Sequence, residues 1–150
     1  MAETIEISVG EPVAVELGEL RFQVRRREVG SDGGVSIELY AQQASEPEEL
    51  IRFDLFRDDP HYHVPAANPK PRRIDPTSDG EPLEFALAGI RSLPELLKEA
   101  GYPARATAAD ALDLADAAER VRAAVADAPE PSETRSFDLT PELRKLLGQE

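Results

Sequence analysis

Cysteine and tryptophan are missing from these 150 residues, methionine occurs once and histidine only twice. The lack of cysteine excludes disulfides, thiolate zinc sites, iron–sulfur clusters and a thiol nucleophile. Five Phe and three Tyr are the whole aromatic complement, so any core must be mainly aliphatic. Long apolar runs are also absent, and nothing approaches the roughly 20 residues of a bilayer-spanning helix. The opening "MAETIEISVGEP" has neither a basic start nor an apolar stretch, so the expectation is a cytoplasmic protein without a signal peptide.

Positive charge is the next shortage. Thirty acids face 17 bases, for a formal charge of −13. Acids outnumber bases 11 to 4 over residues 1–49, 9 to 7 over 50–100 and 10 to 6 over 101–150. Such a surface repels phosphate backbones and anionic lipid beyond a Debye length of about 8–10 Å. Nucleic acid and membrane are therefore not expected partners. Two short basic runs, "RRR" at 25–27 and "KPRR" at 70–73, read as strand ends or loop tips.

What the chain does contain is alternation. "IEISV", "VAVEL", "LRFQVRR", "VSIELY" and "LIRFDLF" each place aliphatic residues on one side and polar ones on the other. Period-two alternation between turn residues predicts an antiparallel sheet with one buried face. "RDDP" at 57–60 reads as a four-residue turn into a sixth strand, with Asp54 opposite His63, Phe56 opposite His61 and Leu55 opposite Tyr62. A proline-rich stretch at 65–82 leads to a helix from 83, a break near Ser92 capped by Ser92 and Glu95, and a second short helix ending before Gly101.

Residues 107–128 predict one long helix opened by a Thr107/Asp110 capping box, with Leu114, Ala118, Val121 and Val125 on a narrow apolar stripe. A linker at 129–136 and a short helix carrying Leu143, Leu146 and Leu147 follow. The fold expected is α+β: an antiparallel meander of about five to six strands with helices on one face over residues 1–102. A helical C-terminal extension fills 103–150.

The polar face of this sheet is where chemistry would reside. Alternation gathers Arg21, Gln23, Arg25, Glu38, Tyr40, Arg52, Asp54, His61 and His63 there. A carboxylate beside an imidazole fixes its tautomer and raises its basicity, as a general base requires, and Arg52 would stabilise an anion. Solvated cross-strand ion pairs account for the same residues with no activity at all. H-x-H at 61–63 puts both imidazoles on one face of a strand, and Asp54 could supply a third ligand. With no HExxH and no further histidine, this is the weaker reading and no metal is expected. No phosphate-binding glycine loop, GxSxG or dinucleotide fingerprint occurs, and no cofactor is expected.

"RFDLFRDDPHYHV" followed by "DPTSDGEPLEFALAGIRSLPELLKEAGY" resembles a family of small uncharacterised bacterial domains with an RFD-x-F…PHYH strand pair and a Leu-rich helix. The resemblance implies a sheet–helix module over 50–102 and brings no activity. Arg52, Asp54, Pro60, His61 and His63 are more distantly similar to TumE-type toxins, which implies an RNA-directed activity. The chain departs from those toxins in lacking further histidines downstream and a basic character.

Together these features favour a non-enzymatic acidic accessory protein that binds a protein partner within a bacterial multi-protein system. Leu114, Val121, Val125, Leu143, Leu146 and Leu147 are the expected anchors. The alternative is a small RNase-like or metal-dependent hydrolase using Arg52, Asp54, His61 and His63.

Overall fold

A computed structural model describes residues 4–42, 46–138, 140 and 141. The alternating segments form strands β1 (Thr4–Val9), β2 (Val13–Leu17), β3 (Leu20–Val29), β4 (Asp32–Ala41), β5 (Glu48–Phe56) and β6 (His61–His63). Two further strands, β7 (Arg72–Arg73) and β8 (Glu133–Asp138), complete one open antiparallel sheet in the order β7-β6-β5-β4-β3-β1-β8, with β2 also paired to β3. The fold is α+β as the alternation predicts, with eight strands rather than five or six.

Strand β3 organises the sheet. Its first half pairs with β2 (Val13↔Val24 to Leu17↔Leu20), and its second half with β1 (Ile7↔Val29 to Val9↔Arg27). A two-residue turn then sends it into β4, with Gly30 at φ +63° supplying the conformation that a side chain would resist.

The apolar face carries Phe22, Val24, Ile37, Leu39, Ile51 and Phe53, each at most 1% exposed. Four helices cover it: α1 (Pro82–Arg91), α2 (Leu93–Glu99), α3 (Pro103–Ala109) and α4 (Leu114–Asp127). Leu87, Ile90, Leu93 and Leu97 are fully buried, and each such side chain contributes about 1.5–3 kcal/mol. Helix α1 packs on α4 and β5, α2 on α3, and α4 on β2 and β3. Residues 103–128 therefore join the same core, and the boundary drawn after residue 102 falls inside it.

Three local expectations are corrected. The predicted helix over 107–128 is two helices. Thr107 sits inside α3 and donates from Oγ1 to the Pro103 carbonyl, while Asp113 caps α4 by accepting from the Asp116 N–H. At Ser92 the chain breaks as expected, but its side chain makes no capping bond, and Glu81 instead caps α1 through the Glu84 N–H. The predicted linker at 129–136 contains most of β8, which pairs with β1 from Thr4↔Asp138 to Val9↔Glu133. The expected last helix, with Leu143, Leu146 and Leu147, lies outside the described residues.

Candidate functional site

The β5–β6 hairpin differs in register from the four-residue turn. Asp54 lies opposite His61, Phe53 opposite Tyr62 and Arg52 opposite His63, which leaves six residues in the connection. The reason lies on β4. Phe56 stays paired with Gly34, the Arg57 N–H donates to the Gly33 carbonyl, and the Asp32 carboxylate accepts from the N–H groups of Asp58 and Asp59. These bonds hold the chain beside β4 for longer before it can return. The displacement is two residues, so every side chain keeps its predicted face.

The four predicted site residues meet. Asp54 Oδ2 lies 3.2 Å from His61 Nε2, 3.6 Å from His63 Nε2 and 3.0 Å from Arg52 Nε. Its other oxygen, Oδ1, accepts from Ser36 Oγ at 2.6 Å and lies 3.6 Å from Arg27 Nη1. The imidazoles are fixed from behind: His61 Nδ1 is 2.8 Å from the Asp59 carbonyl and His63 Nδ1 2.9 Å from the Asn68 carbonyl. A carbonyl only accepts, so each Nδ1 carries the proton and donates it. The two rings meet edge to face at 5.2 Å, with Phe56 edge-on to His61.

The group is closed. Asp54 is 2% exposed, His61 6% and His63 3%. Burial pushes the Asp54 carboxyl upward. The hydrogen bond to His61, the Arg52 charge, the Ser36 hydroxyl and Arg27 outweigh it and hold the carboxyl well below the usual range. His61 is also disfavoured by burial as a cation, yet the bonded Asp54 carboxylate raises its pKa. At His63 burial dominates, and the charges of Arg52 and His61 add to it, so its pKa is lowered. Glu49, beside Arg52 at 3.5 Å, is pushed up to about 7 chiefly by burial, and its Oε2 has no hydrogen-bond partner.

Sequence reasoning left Arg27, Ser36 and Glu49 out of the site. Arg27 was legible in principle, since β3 runs on to Val29 and Arg27 continues its polar alternation. The "RRR" run is thus mid-strand: Arg25 pairs with Glu38, Arg27 faces Asp54, and Arg26 on the opposite side donates to the Ala128 carbonyl. In "KPRR", Arg72 makes a two-pronged ion pair with Glu99 and lies over the Tyr62 ring. Of the expected partner anchors on α4, Val121 is fully buried in the chain's own core, with Leu114 and Val125 partly buried against it.

Residues 14–126 match a family described as a domain of unknown function, DUF7700. The chain belongs to the DUF7700 family. The match starts in β2 and ends in α4, so the DUF7700 region contains the helical layer and the Asp54 group, while β1 and β8 flank it. No curated protein and no solved structure matches the chain. Among the described residues no helix is long and apolar enough to cross a membrane.

Proposed function

We propose that this DUF7700 protein is a non-enzymatic interaction module that binds a protein partner by strand addition at β8. The observation carrying this reading is the state of that strand. It stands at the end of the sheet, all six of its residues are exposed, and its Phe137, 40% exposed, is the exposed large hydrophobic among the described residues. An open edge presents unpaired N–H and C=O groups that another strand can use, and natural sheets usually shield such edges. The charge of −13 favours encounter with a basic partner surface. Leu143, Leu146 and Leu147, the other expected anchors, come after β8 in the sequence and lie outside the described residues.

A toxin-like RNase or hydrolase at Arg52, Asp54, His61 and His63 ranks second. Those groups are assembled, but Asp54, His61 and His63 are all buried, which disfavours a polymeric substrate.

Affinity capture of the tagged full chain, followed by mass measurement of the eluted species, tests the leading reading. A stoichiometric protein complex is expected, weakened at least about tenfold by Phe137→Asp. A chain that elutes alone as a monomer, or a complex indifferent to that substitution, overturns it.

A further inference from the structure

We infer that Asp54, His61 and His63 form a site for one divalent transition ion of the zinc class. The site does not depend on what binds at β8. The argument starts from the proton positions. Both Nδ1 atoms donate to backbone carbonyls, so in the neutral rings both Nε2 atoms present lone pairs, and both point at Asp54 Oδ2. Ser36, Arg27 and Arg52 occupy the remaining acceptor directions of the carboxylate. Three acceptor atoms therefore converge on one small volume, and all lie within 4.8 Å of one another. A single proton on His61 Nε2 satisfies one contact and leaves His63 Nε2 facing an oxygen without a donor between them.

A metal ion satisfies all three. Ligand atoms about 2.0–2.2 Å from a tetrahedral zinc lie roughly 3.3–3.5 Å apart. The Oδ2–Nε2 separations of 3.2 and 3.6 Å bracket that edge. Metal-binding histidines characteristically donate their second N–H to a carbonyl or carboxylate, which orients the ring, and both rings here do so. Two imidazoles and one carboxylate select zinc, cobalt or a similar ion over magnesium or calcium, which prefer oxygen alone. Three protein ligands leave the fourth position for water or an anion. Arg52 and Arg27 beside the carboxylate disfavour a cation by repulsion and favour an anion in that position; Glu49 and Glu38 lie close enough to offset part of their charge.

The test is titration of the metal-free full chain with Co²⁺ and then Zn²⁺. One equivalent is expected to bind with a Kd below about 100 µM. Cobalt should give the visible absorption of a four-coordinate nitrogen–oxygen site, and zinc should displace it. His63→Gln should weaken binding by roughly 100-fold. Should that variant fail to fold, ¹⁵N spectra of the unmutated chain decide the matter. Metal must shift Nε2 of both His61 and His63 while both Nδ1–H signals persist. Unshifted Nε2 signals, binding weaker than the stated limit, or binding unchanged in a folded His63→Gln would each overturn the site.

Discussion

Asp54 is a buried charge whose neighbours depend on it. Removing it by Asp54→Asn leaves the Arg27 and Arg52 guanidinium groups facing the site with no anion at the centre. Breaking a buried pair from one side typically costs about 3–5 kcal/mol, and a loss of that size is expected in urea unfolding at pH 7. Glu49 behaves oppositely. Its folded pKa, about 7, lies above the 4.5 of a free glutamate side chain, so the folded state holds its proton more tightly than the unfolded chain. Its contribution is greatest below pH 4.5 and is lost as pH rises through 7. Glu49→Gln is therefore expected to change stability little at pH 4 and to raise it at pH 8, as measured by denaturant midpoints at the two pH values. Stabilisation equal at both would show that burial does not govern this carboxyl.

At the scale of elements, legibility followed the strength of the local pattern. Strands β1 to β5 were readable because aliphatic and polar residues alternate over their lengths and the sheet buries one face. β8 was not. "ETRSFD" contains one apolar residue, buries nothing, and is a strand only because β1 offers it an edge. The break between α3 and α4 was equally silent, since "ADALDLADAA" contains no glycine or proline and the interruption rests on Asp113 reaching the Asp116 N–H. Asp113→Ala should cost about 1 kcal/mol by loss of that cap. Thr107→Ala, at an exposed position within α3, should stay within about 0.5 kcal/mol. Equal losses in urea unfolding would contradict the assigned helix start. The candidate site was readable in membership but not in depth. Alternation assigns Arg52, Asp54, His61 and His63 to one face, whereas their burial comes from neighbouring arginines, Phe56 and the Asn68 loop, which alternation does not encode.

The whole molecule divides into a compact body and a ribbon. The body, β2 to α4, coincides with the DUF7700 match and holds nearly all of the fully buried side chains. The ribbon, β1 with β8, is fastened to it through three β1–β3 pairs, the Gly10 N–H to the Arg26 carbonyl and the Gly30 N–H to the Glu6 carbonyl. Gly10 also lies so close to Pro129 that a Cβ there would come 2.6 Å from its carbonyl oxygen, which is why the returning chain can cross at this point. A chain ending at Ala128 is expected to unfold cooperatively, with a melting midpoint lowered by no more than about 5 °C. By the proposed function, it should also lose its partner. A drop several times larger in calorimetry would make β8 part of the body.

The pairing of β1 with β8 also fixes how the molecule answers to mechanical load. Thr4 lies directly opposite Asp138, so a tension applied through those two positions acts across the ribbon and strains its hydrogen bonds one at a time from that end. The β1–β8 pair would open like a zipper at low force, releasing β8 while the helices and the remaining strands stay folded. A partner that pulls on β8 would thus peel a strand away before it disturbs the core beneath.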